Sequence, residues 1–205
     1  DRQEFSTSYT PYQPEISQGV LQSIFEFQSM MAAITGMYVS NASLYDGATA
    51  LAEAALMAIR AKPIKRVLVT RATNPRFRSV LRTYLANTGV TLQEIPFDMA
   101  SGQVERFSLE RLSGEDAALF VQNPNFFGIL EPMDCIAKFA RQTAFWGIVV
   151  SEAISLGLLK KPGDYNPDCV VGEAQSFGNP PNAGGPLLGF LCTTKEHVRR
   201  MPGRV

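Results

Sequence analysis

The chain has 205 residues, of which 45% are hydrophobic and 19% charged, a composition typical of a soluble globular protein with one large domain or two small ones. Nineteen basic residues balance nineteen acidic ones without a long run of either sign, which argues against nucleic acid or an anionic membrane as the main partner. No apolar run reaches bilayer length, so no membrane span is expected.

The chain starts with a stiff segment, residues 9–19 (YTPYQPEISQG), in which two prolines fix φ and favour extended conformations before them. This segment is predicted either to present its tyrosine and amide groups to a ligand or to pack on its own domain. A helix is predicted over residues 16–35, because apolar residues recur there at spacings of three and four: Ile16, Val20, Ile24, Phe27, Met31 and Ile34.

Short apolar segments then alternate with helical patterns, which predicts an α/β domain with a mainly parallel sheet. The predicted strands are 37–40, 66–70, 91–96, 117–122, 146–151, 168–172 and 187–193. The predicted helices are 48–61, 75–88, 108–112, 132–143 and 195–201. Ligands bind beyond the carboxyl ends of such strands, so the polar segments 41–47, 70–74, 122–125, 151–155 and 172–178 are expected to converge on one crevice.

Few residues in the sequence are of the types that commonly act in catalysis or bind metals. His197 is predicted to be a solvated surface residue rather than a catalytic base, because the segment around it is charged. The three cysteines lie far apart in apolar surroundings without a CxxC pair, which favours buried free thiols in a reducing cytoplasm over a zinc site. The start of the helix at 48–61 is predicted to be either an anion cup or a capped helix, and Asp46 favours the cap.

Long segments of the sequence resemble the glycine dehydrogenase (decarboxylating) family, the P-protein of the glycine cleavage system, and more narrowly its subunit 1, the N-terminal half. They are YTPYQPEISQG, LQSIFEFQSMMAAITGMYVSNASLYDGATALAEA, ISLGLLKKPGDYNPDCVVGEAQSFGNPPNAGGPLLGF and VRRMPGRV. The resemblance implies a fold-type-I pyridoxal-phosphate-dependent transferase-like large domain, with a seven-stranded, mostly parallel sheet sandwiched by helices. Residues 1–15 would form an extended segment near the active site, and residues 16–205 a large α/β domain excerpted from a longer chain without its small C-terminal domain.

In catalytic enzymes of this fold type, a lysine that follows the strand matching 168–172 forms a Schiff base with the cofactor. This chain has GEAQSFG at residues 172–178, which puts Gln175 or Ser176 in that place. The resemblance therefore implies no catalytic residue on this chain alone and no metal. Positions of a degenerate cofactor site are expected at Asn41, Ser43, Asn123, Glu152, Gln175 and Ser176, where Glu152 is nearest to the acid that normally pairs with the pyridine nitrogen.

The resemblance implies a cytoplasmic heterotetramer in which the partner, subunit 2, holds pyridoxal phosphate and decarboxylates glycine. The aminomethyl group then passes to the lipoyl arm of H-protein. This chain is expected to form a wall of the substrate crevice through Tyr9, Thr10, Tyr12, Gln13 and Glu15. Two alternatives stay open. One is a self-sufficient pyridoxal-phosphate enzyme of another reaction class that uses Lys160 or Lys161, and the other is a purely structural or regulatory interaction subunit.

Overall fold

The computed structural model describes residues 17–203, in which seven strands form one sheet. The strands are β1 Val39–Ser40, β2 Arg66–Thr70, β3 Thr91–Ile95, β4 Ala117–Gln122, β5 Phe145–Val150, β6 Cys169–Glu173 and β7 Gly189–Thr193. The α-helices are α1 Gln18–Thr35, α2 Gly47–Ala61, α3 Pro75–Leu85, α4 Arg106–Leu112 and α5 Met133–Ala140. No helix within residues 17–203 is long and apolar enough to cross a bilayer.

The strand order is β1-β7-β6-β5-β4-β2-β3, and the predicted seven-stranded, mostly parallel sheet is confirmed. Within the group β2 to β6, every pair of neighbouring strands is parallel. Strand β7 runs antiparallel to both β6 and β1. Because of this arrangement, the carboxyl ends of β1 to β6 and the amino end of β7 lie along one edge of the sheet.

The hydrophobic core lies on both faces of the sheet, because successive side chains along each strand point to opposite faces. Val67 and Val69 point toward α2 and α3, whereas Leu68 between them packs with α4 and α5. Helix α1 covers the other end of this second face, where Met31 packs with Phe190. Strands β4 and β5 are buried at every position, as expected for central parallel strands between two helical layers.

Local capping chemistry sets the ends of the first helices. Helix α1 ends at Gly36, whose φ of 72° lies in the left-handed region that glycine adopts at low cost. Asp46 caps α2 in a capping box with Thr49. Helices α3 and α5 are each three residues shorter at the carboxyl end than predicted, and the segment Lys195–Arg200 is a 3-10 helix rather than an α-helix.

The prediction for His197 is wrong, because the side chain is fully buried rather than solvated. Its ring stacks on Phe145 with 5.2 Å between the ring centroids, and Nε2 lies 3.3 Å from Oδ1 of Asp168. The tight 3-10 turn directs this one side chain inward, while its charged neighbours stay at the surface. His197 therefore ties the 3-10 helix to β5 and to the start of β6.

The cysteines differ in burial, so their reactivity is expected to differ. Cys169 and Cys192 are buried free thiols as predicted, whereas Cys135 is only half-buried. Burial raises the pKa of Cys192 to about 11 and raises that of Cys169 well above its usual value. At pH 8 iodoacetamide should therefore label Cys135 alone in the folded protein, and all three cysteines after unfolding. Mass spectrometry of the labelled peptides tests this, and rapid labelling of Cys192 in the folded protein would contradict it.

Candidate functional site

Gln122, at the carboxyl end of β4, joins three of the polar loops at this edge. Its side chain is fully buried, and its Oε1 accepts a hydrogen bond of 2.8 Å from the backbone N–H of Asn74. Its Nε2 donates to the carbonyl of Pro124 and to Oγ of Ser151, both at 3.0 Å. The loops after β2, β4 and β5 are therefore held together by one amide group.

Glu173, the last residue of β6, joins the remaining loops of the same edge. Its Oε2 accepts from the N–H of Gly47 at 2.9 Å. Its Oε1 accepts from the N–H groups of Gln175 at 3.0 Å and Leu188 at 2.8 Å. The 3-10 helix Gln175–Phe177 also packs against the 3-10 helix Ala153–Gly157 that follows β5. The five polar segments thus lie at one edge of the sheet, and the single crevice expected between them stays a prediction.

The amino end of α2 carries two carboxylates. Asp46 accepts hydrogen bonds from the N–H of Thr49 at 2.6 Å and from its hydroxyl at 2.9 Å, and Glu173 accepts from Gly47. These contacts favour the capped-helix interpretation of this segment over an open anion cup. A Cβ added at Gly47 would come within 2.7 Å of the Phe77 ring and 3.0 Å of Glu173, so the backbone is closely packed here.

Asn41 and Ser43 lie in the loop after β1, and both serve the fold. Asn41 is fully buried, with Oδ1 accepting from the N–H of Leu191 at 3.0 Å and Nδ2 donating to the carbonyl of Pro202 at 3.3 Å. Its Nδ2 also lies 3.5 Å from the carbonyl of Ser43, which joins these two predicted positions. Ser43 lines an apolar cavity of about 230 Å³ together with residues of α1 such as Ile24.

Asn123 and Glu152 likewise bond to nearby backbone. Asn123 Oδ1 accepts from the N–H of Glu131 at 2.9 Å. Glu152 is exposed, and its carboxylate accepts from the N–H of Ile154 at 3.1 Å, which caps the 3-10 helix after β5. Within residues 17–203 no hydrogen bond joins the side chains of Asn123 and Glu152.

Gln175 and Ser176 open the loop after β6, where the resemblance would place a lysine. Gln175 donates from Nε2 to the carbonyl of Gly184 at 3.3 Å, which pins the side chain to the far side of its own loop. Ser176 is exposed. The five predicted crevice residues Tyr9, Thr10, Tyr12, Gln13 and Glu15 lie outside the described residues.

The sequence did not single out a buried network behind the loop after β4. Glu131 is only 5% exposed, and its carboxylate accepts from Asn125 Nδ2 and from the N–H of Val104, both at 2.9 Å. Burial raises the pKa of Glu131, although both hydrogen bonds favour the ionised form. Asn125 Oδ1 in turn accepts from the N–H of Phe127. The Asn-Pro-Asn sequence signals a turn, but nothing local predicts its buried glutamate.

The two lysines that the self-sufficient alternative requires lie on the surface. Lys160 forms an ion pair of 3.1 Å with Asp134 and lies 4.2 Å from the centre of the Tyr165 ring. The hydrogen bond that Lys160 donates to Asp134 raises the pKa of Lys160, whereas imine formation requires a lowered one. Lys161 is exposed. Among residues 17–203 no three metal-ligating side chains lie together.

Comparisons with known proteins agree over the whole chain. The model of the family "Glycine cleavage system P-protein" matches residues 1–205. A relative from Moorella thermoacetica named "Probable glycine dehydrogenase (decarboxylating) subunit 1" is 52% identical over 205 residues, which are 100% of this chain and 46% of the relative. A relative of the same name from Thermotoga maritima is 50% identical over 202 residues, or 98% of this chain and 45% of the relative. The chain spans about half the length of these relatives.

Solved structures give the same result. A crystal structure of glycine decarboxylase (P-protein) of the glycine cleavage system, in inhibitor-bound form, matches this chain with a TM-score of 0.89 and 46% sequence identity. The match covers 100% of this chain and 46% of that chain. A NifS-like protein has a TM-score of 0.70 at 14% identity over 95% of this chain and 53% of its own, which shows the fold alone. The fold is that of fold-type-I pyridoxal-phosphate-dependent enzymes, as predicted. The chain belongs to the glycine cleavage system P-protein family.

Proposed function

We propose that this chain is the subunit of a heteromeric glycine decarboxylase that does not carry the cofactor. A partner subunit holds pyridoxal phosphate, releases the carboxylate of glycine as CO₂ and passes the aminomethyl group to the lipoyl arm of H-protein. This chain completes the site from across the interface. The relatives named subunit 1 support the existence of a partner, and the glycine decarboxylase structure supports the reaction.

The loop after β6 carries the proposal. Pyridoxal phosphate enzymes of this fold hold the cofactor through a lysine, and residues 174–188 contain none. Gln175 or Ser176 takes the place in which the resemblance would put the lysine, and neither an amide nor a hydroxyl forms an imine. The pairing of Lys160 with Asp134 keeps that amine protonated, so it is unsuited to the role. The residues present do not fit a covalently held cofactor.

Two further positions point the same way. The carboxylate of Glu152, nearest to the place of the acid that would pair with the pyridine nitrogen, is exposed and accepts a backbone N–H. The amino end of α2, where a phosphate would profit from free N–H groups and the helix dipole, already holds Asp46 and Glu173. Two negative charges there oppose a third. These observations support a cofactor held by the partner subunit.

Exposed apolar side chains along the same edge support a partner surface. Tyr45 is 83% exposed and Leu158 is 89% exposed, and they follow β1 and β5. Phe126, Phe127 and Phe177 are also exposed in the loops after β4 and β6. Large apolar side chains from several loops at one edge are typical of a protein interface. We propose that the cofactor-bearing subunit covers this edge.

The tyrosines of the N-terminal segment are the proposed contribution to the substrate crevice. Replacing Tyr9 or Tyr12 by phenylalanine should lower turnover of the assembled enzyme about tenfold, because one hydrogen bond in the transition state contributes about 1.4 kcal/mol. Assembly with the partner should not change. Steady-state decarboxylation of labelled glycine and the partner dissociation constant are the two measurements.

Tyr84→Phe is the matched control, because Tyr84 lies at the end of α3 that is remote from this edge. Its turnover should equal that of the unchanged protein. If Tyr9→Phe and Tyr12→Phe retain full turnover, the purely structural alternative gains support. If they weaken assembly instead, the segment serves as an interface rather than as a wall of the crevice.

A further inference from the structure

Glu173 gathers backbone N–H groups at the carboxyl edge of the sheet, next to the start of α2. One carboxylate accepts backbone N–H groups from three separate segments: Gly47 at the start of α2, Gln175 after β6 and Leu188 before β7. The three donor distances lie between 2.8 and 3.0 Å. Convergent backbone N–H groups at a helix start are the groups with which proteins bind phosphate.

One of these donors, Gly47, lies at a helix start beyond a strand end, which is the place where α/β proteins bind anions. Helix α2 follows β1 directly at the carboxyl edge of the sheet and begins with the small residues Gly47 and Ala48. Helix α3 follows β2 at the same edge, but it begins with Pro75, which has no N–H to offer. Of these two helix starts, that of α2 is the better anion site.

The α2 site is filled from within the chain. The N–H of Gly47 already donates to Glu173 at 2.9 Å, and the other side of Gly47 packs closely, because a Cβ there would meet the Phe77 ring and both the backbone and Cβ of Glu173. Asp46 adds a second negative charge at the adjoining N–H of Thr49. A phosphate dianion at the start of α2 would have to displace the carboxylate of Glu173. That carboxylate would then lose its hydrogen-bond donors, and the dianion would come close to the negative charge of Asp46.

We propose that Glu173 acts as an internal anion that occupies the α2 site in place of a ligand's phosphate and so makes this subunit reject phosphate-bearing ligands. The missing lysine explains why a cofactor would not be attached covalently. Glu173 explains why it would not be retained non-covalently either. This inference concerns the chain's own anion site and holds whether or not the proposed partner contact is correct.

The test uses inorganic phosphate as the probe and the full-length protein with Glu173→Ala. Removing the carboxylate exposes three N–H groups, so the melting temperature should fall in chloride. Replacing chloride with phosphate at equal ionic strength should raise it again by about 3 °C, as expected for a ligand at about five times its dissociation constant. Titration followed by ³¹P NMR should show saturable binding to the variant and none to the unchanged protein.

Glu152→Ala is the matched control. It removes a carboxylate at the same edge of the sheet that accepts from a single backbone N–H rather than from three. Its melting temperature should rise in phosphate only as much as that of the unchanged protein, through the general stabilising effect of this anion on folded proteins. Glu173→Ser, whose hydroxyl accepts from one N–H while leaving space, provides the same measurement if the alanine variant does not fold. Saturable phosphate binding by the unchanged protein would overturn the inference. So would the absence of a phosphate-specific response in both Glu173 variants.

Discussion

Gly172→Ala should destabilise the protein by about 3 kcal/mol or more, because the added methyl group has nowhere to go. Gly172 lies in β6 between β5 and β7, where a Cβ would overlap the carbonyl of Val150 and come within 3.0 Å of the Phe190 ring. A backbone carbonyl in the middle of a sheet moves only if the strands separate. Urea unfolding followed by circular dichroism measures the loss.

Gly157→Ala is the control for this prediction. A Cβ at Gly157 meets no other atom within 4 Å, and its φ is not positive. Its free energy of unfolding should therefore stay within about 1 kcal/mol of the unchanged value, with a gain expected from reduced freedom of the unfolded chain. Equal stabilities of the two alanine variants would show that the packing around Gly172 is described wrongly.

Glu131→Ala should cost about 2–4 kcal/mol, because it leaves two buried donors without acceptors and opens a cavity. The donors are the N–H of Val104 and one N–H of the Asn125 amide, whose nitrogen also donates to the carbonyl of Gly102. Glu110→Ala, at an exposed position of α4, should change stability by less than about 0.5 kcal/mol. Chemical denaturation of the two variants tests the difference.

The pH dependence of the Glu131 effect has a defined sign. Burial raises the pKa of this carboxyl in the folded protein above its unfolded value. Its contribution to stability is therefore fully present below the unfolded pKa and is lost as the pH rises through the raised folded pKa. Glu131→Gln does not titrate, so the stability of the unchanged protein relative to this variant should fall with rising pH. A rise would contradict the assigned direction.

The positions of the strands and the burial of the central ones were predictable, because they depend on short runs of apolar residues that are visible in the sequence. Strand β2 has a central apolar run, Val67–Val69, and strands β4 and β5 are mostly apolar in sequence and buried at every position, which is typical of central parallel strands. The start of α2 was predictable for the same reason, since Asp46 and Thr49 lie three residues apart in a capping pattern. The long segments that resemble the P-protein family then indicated the family.

The side chains that organise the site were not predictable because their partners are remote in sequence. Glu173 bonds to Gly47, 126 residues away, and Gln122 bonds to Asn74, 48 residues away. His197 was assigned to the surface from its charged neighbours, and its inward orientation depends on Phe145 and Asp168. Periodicity carries no information on such contacts. Predicted positions such as Asn41 were placed near the site, but their hydrogen bonds to the backbone were not foreseen.

The location of the cofactor is the central claim, and one measurement addresses it. The chain and its partner subunit, assembled with pyridoxal phosphate, are reduced with borohydride and digested, and the pyridoxyl-labelled peptide is identified by mass spectrometry. We expect the label on a lysine of the partner and on none of the six lysines of this chain. A stoichiometric pyridoxyl group on Lys160, Lys161 or any other lysine of this chain would contradict the proposed function.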